Sequence, residues 1–493
     1  MFSPKQFFGY KNLEKTLREL KFSETVIADL MSLAQEFYVD AKQEDEGSQS
    51  VRDYRYWQQP DNLRRIIPFS QYAGRATKTR AGIATAGELI AEGMGLDTKH
   101  IKLSDESVID LLEALENDLL DKATMEDVKK KMLLSVVGRD YPLIQLKKEA
   151  DVADFVYGSG LPAINYQLSS LYCQQNVTAE AKAYVAAMCE EFRSRFAQRL
   201  DRLEWLSDAT RQRAHKKLQA VVFIAGEPNE WNRDFFVTGM PDGLTCYESA
   251  LWVLSEGAKA MLQKLPGDYS YAKLCYVQIS ALPAWIDNAL YAPAYNCVYM
   301  PALNMISPVT NPSYGDAYNY AVLGASTIGH ELTHGFDNDG SKTNEDGIYE
   351  QWWAPADLTE FKKRQQLMID HFSQFMMGDR RTDGELTLGE NIADQGGLNM
   401  ALDIIRDKAR QRGLDAAATR EQLRRLFLGW AQAWKNNADM ATYQANMDEY
   451  DEHAQNPVRV NGQVTLQNDW YDLFDVREDQ PLYVAPAKRF TIW

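Results

Sequence analysis

Apolar residues recur at the three- and four-residue spacing of amphipathic helices along most of this chain. The helices predicted from this spacing span residues 11–38, begin at the capping residues Ser104, Thr178 and Ser207, and span residues 357–375, 389–410 and 421–435. Short β-like runs, bounded by prolines and turn residues, lie instead at 285–291 and 297–300. The pattern therefore predicts a predominantly α-helical α+β fold with one small sheet.

Composition and charge narrow the class of protein. The 493 residues are 45% hydrophobic and 11% aromatic, which is typical of a globular protein long enough for two or three lobes. A net charge of −17 argues against nucleic acid as a partner. The five cysteines are odd in number and include no C-x-x-C pair, so neither a disulfide framework nor a cysteine zinc site is expected.

The distribution of apolar residues also bears on localisation. No stretch of about 18 apolar residues occurs, and the N-terminus lacks the apolar core and cleavage site of a signal peptide. The sequence as written is therefore expected to contain no membrane segment and to be cytoplasmic. If a leader was removed, the alternative is a periplasmic or secreted protein.

The strongest candidate chemistry lies in the segment His330-Glu331-Leu332-Thr333-His334. Histidines four apart share one face of a helix, so both imidazoles can reach the same ion while Glu331 lies beside them. The residues ahead of this segment are apolar or small, which favours a buried helix whose polar groups need a metal. The less favoured alternative is a chance occurrence of the pattern on a solvated helix.

A catalytic zinc keeps three protein ligands and one open position, so a third ligand must come from elsewhere in the chain. Glu390 and Asp394 lie four apart on one predicted helix face, within the segment TLGENIADQGG. One carboxylate can bind the metal while the other accepts the ring N–H of a liganding imidazole. The alternative is a pair of solvated carboxylates at a helix N-terminus, although the small and apolar neighbours indicate a tightly packed helix.

The segment at 337–347 superficially resembles a calcium-binding loop. Gly340 falls at its fourth position rather than its sixth, and no glutamate closes it. Turn chemistry is therefore the favoured interpretation of its Asp, Asn and Gly residues.

The two segments HELTHGFD and TLGENIADQGG together resemble the neprilysin and endothelin-converting-enzyme family of zinc endopeptidases, which is of gluzincin type. Four further segments are similar to that family: WLSDAT at 205–210, WAQAW at 430–434, Asp451-Glu452-His453, and Arg459-Val460-Asn461-Gly462. The last residue, Trp493, is also typical of it. The resemblance covers about residues 200–493 and is vague before them.

This resemblance implies an endopeptidase that holds one Zn²⁺ per chain and hydrolyses oligopeptides. The site residues that it implies are the metal ligands His330, His334 and Glu390, the catalytic residues Glu331, His453, Asp394 and Asp451, and the substrate-binding residues Arg459, Ala294 and Trp434. Zinc lowers the pKa of its bound water toward ~7, and Glu331 is implied to take that water's proton. Asp394 is implied to orient a liganding histidine, and His453, supported by Asp451, to stabilise the oxyanion. Arg459 is implied to hold the substrate backbone.

The resemblance also implies a domain organisation. Residues 1–265 are expected to form a mainly helical N-terminal or lid region, and residues 266–493 a thermolysin-like catalytic domain with a small sheet. The longer region that the family has before the metal-binding helix is not found here. A partner chain or a homo-oligomer that completes the lid is therefore compatible with the sequence, alongside peptide substrates as binding partners.

Several positions depart from the family pattern. Pro293 stands where an asparagine is usual, and proline supplies neither a side-chain amide nor a backbone donor. Ser326 and Thr327 replace apolar residues of a substrate pocket, and Lys435 and Phe490 stand where cysteines are common, which suits a bacterial or intracellular version.

Pro293 and the short N-terminal region motivate an alternative function, a catalytically weak peptide-binding or scaffold protein that retains the zinc site. The presence of Glu331 together with His453 and Arg459 argues against it, because a pure binder needs no general base. A purely structural zinc would need a fourth protein ligand, and the sequence offers no candidate for one.

Overall fold

The computed structural model of the protein describes residues 162–228, 231, 233, 236–264, 282–348, 350–448 and 451–493, together with residues 18, 23–28, 31, 67–68 and 102–103. The helix predicted from Ser104, most of the helix predicted at 11–38 and most of the predicted lid region lie outside the described residues. The chain divides into two compact units, Met1–Asn165 with Arg233–Tyr269 and Tyr166–Asn232 with Ser270–Trp493.

The described part of the chain is mainly helical. Its α-helices are α1 Pro162–Asn176, α2 Ala179–Arg202, α3 Asp208–Ala220, α4 Cys246–Lys264, α5 Asp316–Asn319, α6 His330–His334, α7 Pro355–Phe372, α8 Leu388–Gln411, α9 Ala416–Ala433, α10 Met440–Asp448, α11 Asn456–Val464 and α12 Asn468–Phe474. The predicted predominance of helix is confirmed. Within the same residues, every helix is too short or too polar to cross a lipid bilayer.

Helix starts follow the capping residues. Oγ1 of Thr178 accepts a hydrogen bond from the backbone N–H of Ala181 at 3.1 Å, and Ser207 caps α3 in the same way, so both predicted starts are confirmed. Helix α9 begins five residues before the predicted 421, because the side chain of Asp415 accepts from the N–H of Ala418 at 2.8 Å and caps the helix there.

A three-stranded sheet lies in the second unit. Its strands are β1 Val222–Gly226, β2 Leu290–Ala292 and β3 Cys297–Pro301. β3 is the central strand, parallel to β1 and antiparallel to β2, and all five of its residues are buried. This burial explains why 297–300 is an uninterrupted apolar run rather than an alternating one.

The sheet also corrects two predictions. Most of the strand predicted at 285–291 is a turn. The side-chain oxygen of Asn288 accepts a hydrogen bond from the backbone N–H of Ala289, and pairing with β3 begins only at Leu290. Strand β1 was not predicted, because its short apolar run follows α3 directly. A short apolar run of this kind cannot be assigned by periodicity alone.

The two candidate metal-binding histidines and Glu331 lie on one continuous helical stretch, from Asp316 to His334, which we call the central helix. It consists of α5, a π-helical segment Tyr320–Gly329, and α6. The wider π-helical turns precede the two histidines, and the segment is almost entirely buried. π-Helical turns inside helices are often found at functional sites.

Two glycines allow the central helix to pack closely against α8. A Cβ atom on Gly397 would lie 2.1 Å from the carbonyl oxygen of Ala325, and one on Gly396 would lie 2.3 Å from Oγ1 of Thr333. No side chain larger than hydrogen fits at either position without a shift of backbone or packing. The glycines therefore bring the helix of Glu390 against the helix of the two histidines.

An aromatic cluster surrounds the last residue, Trp493. The ring of Trp493 is buried and lies within 6.2 Å, centroid to centroid, of the rings of Phe196, Trp205, Phe336, Trp353 and Phe361. Phe196 lies on α2 and Phe361 on α7, Trp205 lies between α2 and α3, and Phe336 and Trp353 lie between the central helix and α7. The cluster fixes the end of the central helix, because Phe336 is only two residues beyond His334.

Candidate active site

Three donor groups converge where α6 meets α8. Nε2 of His330 lies 3.0 Å from Nε2 of His334 and 3.2 Å from Oε2 of Glu390. Nε2 of His334 lies 3.4 Å from Oε1 of Glu390. Ligands bound tetrahedrally to zinc at about 2.0–2.1 Å are separated by about 3.3 Å, so these spacings fit such an ion.

The outer ring nitrogens of both histidines face carboxylates. Nδ1 of His330 lies 2.8 Å from Oδ1 of Asp394. Nδ1 of His334 lies 2.6 Å from Oδ2 of Asp337. Each carboxylate holds the ring proton at Nδ1, which leaves a lone pair at Nε2. Two lone pairs and a carboxylate directed at one point repel one another unless a cation lies between them, so the donor set fits zinc.

The carboxylates of the site favour positive charge beside them. Burial alone would lower the pKa of His330, but Glu390 and Asp394 outweigh it and raise that pKa. The pKa of His334 is raised well above its usual value for the same reason, by Glu390 and Asp337. Burial acts to raise the pKa of Glu390, yet the two imidazoles hold it well below its usual range. A divalent cation would supply the charge that these groups favour.

Glu331 lies between the two histidines with its carboxylate unengaged. Its side chain is 7% exposed, and one of its oxygens lies within 4.8 Å of a nitrogen of each imidazole. Among the residues that the structure describes, none hydrogen-bonds to this carboxylate. Burial raises its pKa, and the two imidazoles act in the opposite direction. A buried carboxylate with a raised pKa and a free oxygen is suited to accept a proton at neutral pH.

Arg459, on α11, contacts two carboxylates of the site, Asp394 and Glu390. Its Nε and Nη2 each donate to a different oxygen of Asp394 at 2.7 Å, and Nη2 lies 3.3 Å from Oε2 of Glu390. Asp394 is fully buried, and Arg459 outweighs the effect of burial to lower its pKa. The guanidinium carbon lies 3.6 Å from the ring centroid of Trp434, a cation–π contact. The structure therefore brings Arg459, Trp434 and Asp394 together.

His453 and Asp451 lie at the exposed side of the ligands. Nδ1 of His453 is 2.9 Å from Oδ1 of Asp451, and Nε2 is 3.3 Å from Oε2 of Glu390. The His453 side chain is 52% exposed, whereas the side chains of His330 and His334 are 5% and 18% exposed. His453 is therefore placed beside Glu390 and open to solvent.

Ala294 lies in a short 3-10 turn, Pro293–Tyr295, which follows β2 directly after its last residue, Ala292. The resemblance places this residue on a strand that pairs with the substrate, and in the structure the position belongs to a turn. The turn closes at Asn296, which has a left-handed φ of 45°. The Asn296 amide donates to the carbonyl of Lys217 at 3.0 Å, so the turn is fixed to α3.

Sequence reasoning missed Asp337. The turn interpretation holds for one of its oxygens, because Oδ1 accepts from the backbone N–H groups of Asp339 and Gly340 at 2.7 Å each. Its other oxygen contacts His334, which turn chemistry does not anticipate. The available signal was a carboxylate three residues after the second histidine, about one helical turn further on.

Comparison with known proteins decides the family. The sequence patterns of Peptidase family M13 match residues 161–228 and 288–490, which together are more than half of the chain. The chain belongs to Peptidase family M13. The resemblance drawn from HELTHGFD and TLGENIADQGG is thereby confirmed.

Relatives of this M13 chain include bacterial and human proteins. It is 29% identical to a neutral endopeptidase of Lactobacillus helveticus over 395 aligned residues. The aligned region covers 76% of this chain and 58% of the relative. It is 28% identical to human neprilysin over 338 aligned residues. This aligned region covers 66% of this chain and 43% of neprilysin. The chain therefore spans about half the length of the curated relatives it matches.

Solved structures share the fold of this M13 chain. The crystal structure of PepO from Lactobacillus rhamnosis HN001 matches with a TM-score of 0.74 at 22% identity, over 99% of this chain and 75% of PepO. The zinc metalloprotease Zmp1 of Mycobacterium tuberculosis, solved with an inhibitor, matches with a TM-score of 0.70 at 22% identity, over 99% and 73%. Likeness at this identity shows the fold, and it confirms the predominantly helical α+β class.

Proposed function

We propose that this chain is a zinc-dependent endopeptidase that hydrolyses oligopeptides. The observation that carries the proposal is the convergence of His330, His334 and Glu390 on one point, beside the unengaged buried carboxylate of Glu331. A site built only to store a metal has no use for such a carboxylate. Membership of family M13 and the names of its relatives, neutral endopeptidase and neprilysin, support the same function.

In this proposal His330, His334 and Glu390 hold one Zn²⁺. The ion would supply Lewis-acid chemistry, polarising the scissile carbonyl and acidifying a water molecule. Asp394 and Asp337 keep the ring protons on Nδ1, so that both Nε2 lone pairs remain available as ligands. Arg459 neutralises the buried Asp394 and holds it against His330.

Glu331 acts as the general base. It removes a proton from the attacking water as the C–O bond forms, and it delivers that proton to the nitrogen as the C–N bond breaks, which yields a carboxylic acid and an amine. His453, held by Asp451 and open to the solvent side, donates a hydrogen bond to the oxyanion of the tetrahedral intermediate. Arg459, Trp434 and the turn at Ala294 are assigned to substrate binding near these groups.

The test uses the full chain loaded with zinc and a quenched-fluorescence peptide library. Glu331→Gln is expected to lower kcat/KM by about 10²–10⁴-fold, the range for loss of a general base, while the protein still binds one zinc per chain. Glu385→Gln, the same change at an exposed position outside the site, should leave cleavage unchanged. A chelator should abolish cleavage, and added zinc should restore it.

The rival function makes the opposite prediction. If the wild type and Glu331→Gln each bind one zinc and show the same cleavage, the general base does no work. The scaffold interpretation, a peptide-binding protein that retains the metal, would then replace the endopeptidase.

A further inference from the structure

Lys217, on α3, is a buried ionisable residue that the proposed mechanism does not use. Its side chain is 1% exposed. Nζ donates to the carbonyl oxygen of Gly340 at 2.6 Å, to the carbonyl oxygen of Thr343 at 2.7 Å and to Oγ1 of Thr343 at 3.0 Å. One amino group thus uses all three of its donor positions on a single turn of chain.

The turn that Lys217 holds is the one that follows the second histidine. The N–H of Gly340 donates to Oδ1 of Asp337 at 2.7 Å, and Oδ2 of Asp337 lies 2.6 Å from Nδ1 of His334. A Cβ atom on Gly340 would lie 1.8 Å from the carbonyl oxygen of His334, so this turn is pressed against the end of the central helix. A continuous path of hydrogen bonds therefore runs from Lys217 through Gly340 and Asp337 to His334.

We propose that Lys217 is a positioning residue of the metal site: its amino group fixes the turn at 340–343 and so holds the Asp337 carboxylate against the ring of His334. The inference rests on the proposed function only in taking zinc as the ion that His334 binds. It assigns to Lys217 an effect on metal affinity, exerted through the orientation of one imidazole.

Packing alone does not account for an amino group at this position. Burial lowers the pKa of Lys217 to about 7, with Asp337 and Glu345 acting in the opposite direction, so the folded protein bears a desolvation cost there. The rings of Tyr291 and Phe336 lie 5.9 Å and 5.5 Å from Nζ, an environment that an apolar side chain would also suit. What the amino group adds is its three hydrogen bonds to the turn.

Lys217 also connects this turn to the segment at Ala294. Its carbonyl oxygen accepts from the Asn296 amide at 3.0 Å, and the same amide lies 3.2 Å from the carbonyl oxygen of Glu345. The Tyr291 hydroxyl donates to the Asn296 side-chain oxygen at 2.8 Å. The side chain of Lys217 thus holds the turn at 340–343, while its backbone helps to hold the turn Pro293–Tyr295.

The test measures zinc binding to the full chain, with no activity readout. Lys217→Met keeps the length of the side chain and removes its donors. It is expected to weaken zinc affinity about tenfold in competition with a chelator, the lower end of the effect of removing a group that orients a ligand. Leu218→Ala, which removes buried packing one residue along the same helix, should lower the melting temperature but leave zinc affinity unchanged.

A double mutant shows whether the effect passes through Asp337. Asp337→Asn alone should weaken zinc affinity about 10–100-fold. Lys217→Met should weaken zinc affinity by a smaller factor in the Asp337→Asn protein than it does in the wild type. The inference is overturned if Lys217→Met binds zinc as the wild type does and merely melts earlier, as Leu218→Ala does. It is equally overturned if the two losses of affinity simply multiply.

A second variant tests the same hydrogen bonds more mildly. If Lys217→Met does not fold, Thr343→Val removes only one of the three acceptors, and its zinc affinity should fall two- to threefold, whereas unchanged affinity rejects the inference. Because zinc binding is read directly, a chain that binds zinc in a Lys217-dependent way but cleaves no peptide would refute the endopeptidase and leave this inference standing.

Discussion

Two aspartates contact the outer nitrogens of the two imidazoles, and each aspartate is held in place by different partners. Asp394 is fully buried, and both of its oxygens accept from Arg459, so its charge is balanced by an ion pair. Asp337 instead uses its second oxygen on backbone N–H groups of the following turn. Asp394 therefore depends on a distant arginine, whereas Asp337 depends on the conformation of its own loop. Loss of Arg459 would leave Oδ2 of the buried Asp394 carboxylate without its partner, which is a costly defect.

A histidine outside the site makes stability depend on pH. His371, on α7, is buried, and its Nε2 lies 2.9 Å from the carbonyl oxygen of Gly462. Burial lowers its pKa, and the Gly462 carbonyl only partly opposes the shift. In the unfolded chain a histidine titrates near 6.5, so below about pH 6.5 the unfolded state binds this proton more readily than the folded state. Stability from His371 is therefore complete above about pH 6.5 and is lost on acidification toward the lower folded pKa.

We expect the stability difference between the wild type and His371→Gln to vary with pH. Glutamine retains a donor for the Gly462 carbonyl and does not titrate, so the wild type should lose stability relative to it as the pH falls below about 6.5. Above that pH the difference should be constant. Urea unfolding of both proteins with a chelator present isolates this effect from protonation of the zinc ligands. Parallel curves across pH 5–8 would contradict the prediction.

At the scale of elements, the site depends on how closely two helices approach. The histidines lie on the central helix and Glu390 lies on α8, and only the glycines at 396 and 397 allow the spacing that brings their donor atoms within 3.4 Å. Phe192 of α2 packs against the central helix from another direction, where a Cβ on Gly324 or Gly329 would lie within 2.8 Å of its ring. The central helix is therefore confined on two sides, and its register relative to α8 is fixed by contact.

Gly397→Ala should separate the two helices. The new methyl group would lie 2.1 Å from the carbonyl oxygen of Ala325, so the backbone must move, at a cost of about 1–3 kcal/mol in the free energy of unfolding. Because Glu390 moves with α8, zinc affinity should fall as well. Urea unfolding and chelator competition measure the two effects.

A milder change on the same helix provides the comparison. At Gly389 the nearest atom to a new Cβ is Oδ1 of Asn338 at 3.1 Å, so Gly389→Ala should cost less than Gly397→Ala in urea unfolding. If Gly397→Ala were as stable as the wild type, the close approach of the helices would not be a constraint.

At the scale of the molecule, the site is assembled from segments far apart in the chain. The proposed metal ligands come from the central helix and α8, Arg459 comes from α11, His453 precedes α11, and the hydrogen bonds that support Asp337 extend to α3. The aromatic cluster around Trp493 also joins α2, α7 and the segment that follows the central helix. A bound ion would therefore link two helices of the second unit, which makes metal binding a contribution to its folding stability.

Removal of zinc should lower the melting temperature. An ion present at about 1,000 times its dissociation constant stabilises the folded state by about 4 kcal/mol, so we expect a drop of several degrees on chelation and recovery when zinc is added back. Glu390→Gln weakens one ligand, and its melting temperature should respond less to zinc. Thermal unfolding with and without chelator makes the measurement. An equal melting temperature in both conditions would mean that the ion does not couple the helices.

The sequence by itself determined what is local. It predicted the caps of α2 and α3, the cores of α7, α8 and α9, the buried strand β3, and the pairing of two imidazoles on one helix face, because each depends on residues within a few turns of one another. The motif resemblance also gave the family correctly.

Only the tertiary structure decided which distant groups meet. The hydrogen bond from Lys217 to Gly340 joins residues 123 apart, and that from Arg459 to Asp394 joins residues 65 apart. The pairing of β1 with β3 and the second role of Asp337 belong to the same class. Helix and strand propensities act locally, whereas the partner of a buried lysine or carboxylate is set by how whole elements pack, and a spacing pattern in the chain does not record that packing.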